Sequence, residues 1–218
     1  MASTTVEQAR ERLIERIRDL AYLFSENEDF TLASGRKSKH FFDMKPVMMD
    51  PECAHLLGVL IHHQIQSIGN VDAVGGLELG AVPLTGIAIA KAGRGSSLKG
   101  FIVRKEPKGR GGRKTGNPPG IEGASLQSGQ RIVLLEDVTT TGGSALKAAH
   151  RLMEMGCDVA SCITKFYKTI TKHCFVDFIR YIFLFVSISI TKTSTCNNLC
   201  FVGRIRCFLS GVLKLHFL

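Results

Sequence analysis

The chain has 218 residues, of which 44% are hydrophobic and 22% charged, a composition that fits one globular domain with a small appendage and excludes a disordered polymer or two full domains. Its net charge of +9 is concentrated at one end: residues 165–218 hold eight Lys/Arg and one acid, so only +2 remains for the first 164 residues, and a nucleic-acid-binding surface on the main domain is not expected. No apolar signal core precedes the charged stretch Glu7 to Arg18, and the expectation is a cytoplasmic protein without a membrane partner.

In chain order, Thr4 or Thr5 can cap a helix whose apolar positions Val6, Ala9, Leu13, Ile17, Leu20 and Phe24 recur at helical spacing. Phe30 to Lys45 reads as an extended or hairpin segment turning at Ser34-Gly35. Asp50-Pro51 supplies an N-cap and a first-turn proline for a helix through about Ile68. Val71 to Gly76 is then a short strand, Val82 to Ala92 a helix, Phe101 to Val103 a strand and Arg131 to Asp137 another. Ala145 to Met155 is a helix closed by Gly156, and Asp158 to Ile163 a fourth strand. Strands alternating with helices predict an open, mainly parallel α/β sheet, with its site at the carboxyl ends of the strands.

Four features fall at those ends. Glu136-Asp137, then Val138-Thr139-Thr140-Thr141-Gly142-Gly143-Ser144, leads into a helix. Glycines turn backbone N–H groups toward an anion, hydroxyls add donors, and the helix start adds partial positive charge, so this is a phosphate cradle. It lacks the spacing of a P-loop or a dinucleotide-binding turn, which argues against triphosphate hydrolysis and hydride transfer. The adjacent carboxylates suit ribose hydroxyls or hydrated magnesium, but alternation along a strand points neighbours to opposite faces. Alone, the pair reads equally as an N-cap acid with a solvated neighbour. Residues 104–121, with five glycines, are too glycine-rich for a regular element and suit a basic lid; alone they could also be a solvated or RNA-binding loop.

Leu134 to Gly142 resembles the signature of the type I phosphoribosyltransferases, which bind 5-phosphoribosyl 1-pyrophosphate (PRPP). Three further segments narrow the resemblance to the orotate phosphoribosyltransferases: Phe30 to Ser38 with Phe41-Phe42-Asp43, Gly75 to Ala81, and Arg104 to Gly111. They span residues 6–164. The resemblance implies the type I fold with an N-terminal hood and transfer of phosphoribose from PRPP to orotate, giving orotidine 5'-monophosphate and pyrophosphate. It implies Mg2+ as cofactor and a homodimer sharing its lids, with fusion to or association with orotidine 5'-phosphate decarboxylase as a further partner.

By the same resemblance, Lys108 and Asp137 are catalytic, and Arg104, Lys105, Lys108, Arg110, Glu136, Asp137, Thr140, Thr141, Gly142, Gly143 and Ser144 bind PRPP. Gly76, Leu77, Glu78, Leu79 and Gly80 form the pyrophosphate loop; Phe41, Phe42 and Thr140 meet orotate; and Asp137 holds the metal, directly or through water. Alternatives are a phosphoribosyltransferase for another base, a PRPP-binding regulator and an inactive isoform.

The chain departs from the family in several places. Arg110 stands where the lid usually carries histidine and cannot donate a proton near neutral pH. Ala33 replaces a lysine, Glu78-Leu79-Gly80 stands where other members have Tyr-Lys-Gly, and the lid is extended through Gly112 to Pro119. After Ile163 the usual Asp-Arg pair is replaced by Thr164-Lys165-Phe166-Tyr167-Lys168, and nothing later restores the family pattern. Residues 1–164 are therefore read as the phosphoribosyltransferase domain, and residues 165–218 as a non-family tail such as a read-through or frameshift would leave. Its longest apolar run, Tyr181 to Ile190, is too short to span a bilayer. Cys196 and Cys200 lack the partners of a zinc site, leaving free thiols in a reducing compartment as the expectation. An incomplete orotate pocket, poor folding or weak turnover follows from this reading.

Overall fold

The computed structural model describes residues 4–27, 30–31, 37–106, 118–137 and 143–164, with the backbone of 186–188, 202–206 and 212–216. Helix α1 spans Val6–Leu20. Its start is a capping box: the Thr5 hydroxyl accepts from the Gln8 N–H at 3.2 Å while Gln8 Oε1 accepts from the Thr5 N–H at 3.0 Å. Ala9, Leu13 and Ile17 form its buried face. The predicted apolar stripe overran by one turn. Tyr22–Phe24 is instead strand β1, leaving Phe24 55% exposed, because an aromatic segment finds a partner in β4, His40–Phe42, with Tyr22 opposite Phe42.

Strands β2 (Phe30–Thr31) and β3 (Lys37–Ser38) pair antiparallel as the hairpin reading requires; the Ser34-Gly35 turn lies outside the described residues. The extended segment ends early, since Lys45–Met49 forms a short helix, α2, burying Val47 and Met48. Proline in its first turn and the apolar Val-Met pair account for it. Helix α3, Pro51–Ile68, starts where expected, with Asp50 accepting from the Cys53 N–H at 2.9 Å. Arg12 Nε reaches Glu52 at 2.7 Å and Arg16 Nη2 reaches Asp50 at 3.1 Å, joining α1 to α3. Gly69 and Asn70, both at positive φ, then turn the chain into the sheet.

The remaining elements are β5 (Ala73–Leu77), α4 (Ala81–Ala92), β6 (Lys99–Val103), β7 (Ile121–Gly123), β8 (Arg131–Glu136), α5 (Gly143–Glu154) and β9 (Asp158–Thr164). Strands β9, β8, β5 and β6 lie side by side and parallel, and β7 closes one edge antiparallel to β6. Both faces of this sheet are covered, so its central strands are continuously apolar. Along β8, Val133 and Leu135 join the core with α1, α3 and α4, while Ile132 and Leu134 join the core with Ala148, Ala149 and Leu152 of α5.

Beyond β9 the backbone forms β10 (Val186–Ile188), β11 (Val202–Arg206) and β12 (Val212–His216), each antiparallel to its neighbour, with Val186 opposite Thr164. Sequence patterns assigned no element there. The missed signal is Val186 to Ile190, which alternates apolar and serine residues as a strand does. Among the described residues, no helix is long and apolar enough to cross a membrane. Cys53, Cys157 and Cys162 are buried free thiols; Cys196 and Cys200 lie outside the described residues.

Candidate active site

Because β5, β6 and β8 run parallel, their carboxyl ends open on one edge of the sheet. Three chain segments leave from there: Glu78-Leu79-Gly80 into α4, Arg104-Lys105 after β6, and Asp137 after β8. Strand β5 fits between its neighbours only because it carries glycines. A Cβ on Gly75 would overlap the Phe101 carbonyl of β6, and one on Gly76 the Leu135 carbonyl of β8.

Gly80 is the N-cap of α4 at φ −60° and ψ −35°, an ordinary right-handed conformation. Its lack of a side chain matters for a different reason: a Cβ there would overlap the Asp137 carboxyl. Asp137 thus rests directly on the loop between β5 and α4. Asp137 follows the last residue of β8, Arg131–Glu136, and is the acidic neighbour of Glu136. Glu136 is only 8% exposed. Burial, then the neighbouring Asp137, pushes its carboxyl up to about 8, and Lys105 opposes the shift. Near neutral pH Glu136 is thus largely a protonated donor or acceptor.

Glu78 reaches across to the strand beside it. Its N–H donates to the Val103 carbonyl at 2.8 Å, its Oε1 accepts from the Lys105 N–H at 2.9 Å, and its Oε2 lies 3.6 Å from Arg104 Nη1. Arg104 also approaches Glu122 at 3.5 Å. Leu79, at 68% exposure, faces solvent. At the lid's root, the pairing of Val103 with Ile121 brings the two ends of the lid together, and the Arg104 N–H donates to the Gly120 carbonyl at 2.8 Å. Arg151 of α5 donates to the Arg104 carbonyl.

Of the expected site residues, Gly76, Leu77, Glu78, Leu79, Gly80, Arg104, Lys105, Glu136 and Asp137 gather at this edge, with Gly143 and Ser144 opening α5. Lys108, Arg110, Thr140, Thr141 and Gly142 lie outside the described residues. Phe41 and Phe42 belong to β4, where Phe41 stacks on Phe30 with ring centroids 5.5 Å apart and Phe42 packs on Tyr22 at 5.2 Å. Sequence reasoning missed Glu122 and Arg151. No local pattern singles them out, and only the β6–β7 pairing and the packing of α5 give them partners.

The donor set also bears on a metal. No group of three or more His, Cys, Asp or Glu side chains among the described residues could hold one, so a dedicated protein cage is not built there. A lone carboxylate such as Asp137 does fit Mg2+, which keeps its waters and takes most remaining ligands from substrate phosphates.

A mainly parallel sheet flanked by helices, with the segments after β5, β6 and β8 leaving from one edge, is the architecture of the type I phosphoribosyltransferases. A solved phosphoribosyltransferase from Corynebacterium diphtheriae matches 74% of this chain and 84% of its own, with a TM-score of 0.60 and 26% identity. No protein-family model matches the sequence. An orotate phosphoribosyltransferase from Bradyrhizobium sp. (strain ORS 278) is 47% identical over 161 residues, covering 72% of this chain and 82% of that relative. The Mycobacterium tuberculosis orotate phosphoribosyltransferase in complex with PRPP matches 73% of this chain and 83% of its own, at 29% identity and a TM-score of 0.56. The chain belongs to the orotate phosphoribosyltransferase family.

Proposed function

We propose that this protein transfers the phosphoribosyl group of PRPP to N1 of orotate. The C1'–oxygen bond to pyrophosphate breaks, the C1'–N1 bond forms, and orotidine 5'-monophosphate and pyrophosphate leave, a step of pyrimidine synthesis in the cytoplasm. The observation that carries this reading is the convergence of Glu78 to Gly80, Arg104-Lys105 and Glu136-Asp137 at one sheet edge, beside the start of α5. Such a displacement develops positive charge on the sugar and negative charge on the leaving group, so it needs fixed cations and a held ribose rather than a protein nucleophile.

In this assignment, Thr140 to Ser144 cradle the 5-phosphate, while Asp137 and the protonated Glu136 hold the ribose hydroxyls. Arg104, Lys105, Lys108 and Arg110 neutralise the pyrophosphate, and Gly76 to Gly80 line its loop. Phe41, Phe42 and Thr140 meet the orotate ring. Asp137 would hold Mg2+, which supplies further neutralisation of pyrophosphate when bound. The assignment extends to a homodimer in which Lys108 is offered across the interface, and to fusion or association with the decarboxylase that consumes the product. Residues 1–164 form the transferase domain, and 165–218 a tail foreign to the family.

Purified full-length protein with PRPP, Mg2+ and orotate is expected to release pyrophosphate. Release with adenine or hypoxanthine but not orotate would assign another base, and PRPP binding without turnover on any base would identify an inactive form.

A further inference from the structure

The root of the lid is held from two sides, and neither anchoring side chain belongs to the lid. From the pyrophosphate loop, Glu78 takes the Lys105 N–H at 2.9 Å and faces the Arg104 guanidinium at 3.6 Å. From helix α5, whose first turn completes the cradle, Arg151 donates to the Arg104 carbonyl. Arg151 also lies over Gly120, where the lid returns: a Cβ on that glycine, at φ +90°, would meet the guanidinium at 3.0 Å. The two residues whose side chains are assigned to pyrophosphate thus have their backbone pinned between the loop after β5 and the last turn of helix α5.

A carboxylate is an odd component for a pyrophosphate loop, because it repels the ligand. Glu78 is better understood through what it holds. Its carboxylate is engaged by the Lys105 N–H and lies close to Arg104, so its effect on an anion passes through those two residues. We propose that Glu78 and Arg151 are positioning residues that register Arg104 and Lys105 between the pyrophosphate loop and the cradle helix. The proposal rests on the phosphoribosyltransferase reading of the site. Displacing reacting or binding groups by ~1 Å costs on the order of a hundredfold in rate, so losing either anchor has a measurable effect without any loss of a ligand contact.

The test compares Glu78→Ala with Glu78→Gln, and Arg151→Met with Arg151→Lys. Glutamine keeps an acceptor for the Lys105 N–H, and lysine keeps a donor for the Arg104 carbonyl. The readouts are calorimetric affinity for magnesium pyrophosphate, turnover with orotate, and melting temperature. Glu78→Ala and Arg151→Met are expected to weaken pyrophosphate binding by about tenfold and to lower turnover at least as much. Glu78→Gln and Arg151→Lys should recover most of the loss, with melting temperatures close to the parent.

A glutamine variant as impaired as the alanine one would make the charge itself the active feature and overturn the positioning role. Unchanged affinity in Glu78→Ala, or losses that simply track melting temperature, would overturn it too. Parent protein that binds pyrophosphate but transfers nothing to orotate refutes the proposed function and leaves the affinity comparison to judge the anchors. Parent protein that binds no pyrophosphate overturns the inference.

Discussion

Gly80→Ala places a methyl group where the Asp137 carboxyl now lies. The backbone of Gly80 is already helical, at φ −60° and ψ −35°, so alanine adds no backbone strain and the whole effect is steric. The obstructing atoms are the far end of a short side chain, which can rotate away. The relaxation therefore costs what an unfavourable rotamer costs, roughly 0.5–1.5 kcal/mol. For a chain of this size that lowers the melting temperature by no more than about 6 °C. On the proposed assignment the catalytic cost is larger, because Asp137 would rotate away from the position that serves the ribose and Mg2+. A displacement of ~1 Å at a reacting centre costs on the order of a hundredfold.

Steady-state pyrophosphate release and differential scanning calorimetry separate the two costs. Turnover is expected to fall by about two orders of magnitude while the fold holds. A companion variant, Gly80→Ala with Asp137→Ala, removes the clashing atoms and should restore the melting temperature but not the activity. Parent-like turnover in Gly80→Ala would show that Asp137 does not act from its position over Gly80, and would remove it from the catalytic assignment.

Gly76→Ala should behave differently, since its methyl meets the Leu135 carbonyl of the adjacent strand rather than a mobile side chain. The strands must part, and a loss of about 3 kcal/mol or more is expected in chemical denaturation. Glu136→Gln tests the buried carboxyl. Its folded-state value is raised from 4.5 to about 8, so the folded protein binds more protons than the unfolded chain between those values, and stability falls as pH rises through that window. Replacing the carboxyl removes up to about 1 kcal/mol per pH unit of that slope, read as the melting-temperature difference between variant and parent from pH 5 to 8. A difference independent of pH would place Glu136 ionised at neutral pH. Lys108→Ala is expected to lower turnover more than PRPP affinity, and an unchanged turnover number would take Lys108 out of the mechanism.

Sequence patterns reached far into this fold wherever the controlling interactions are local. The Asp50-Pro51 start of α3 satisfies its own backbone within three residues, and the helix begins there. The apolar runs of β5 and β8 and the glycine-rich cradle before α5 marked the sheet and its loaded edge for the same reason. Errors came where a distant partner decided the outcome. Helical spacing carried α1 on to Phe24, but Tyr22 to Phe24 pair with His40 to Phe42. Val186 to Ile188 gain their structure by lying against Cys162 to Thr164.

The chemistry divides in the same way. Residue types and their order determined the family and marked candidate charged groups at the carboxyl ends of the strands, because glycine, acid and hydroxyl spacing within a loop is a one-dimensional property. Tertiary structure decided which of those groups act on one another. Asp137 rests on Gly80, Glu136 is buried beside it, and Glu78 and Arg151 hold the lid's root from opposite sides. Those contacts join segments tens of residues apart along the chain. They exist only because parallel pairing of β5, β6 and β8 brings three separate loops to one edge.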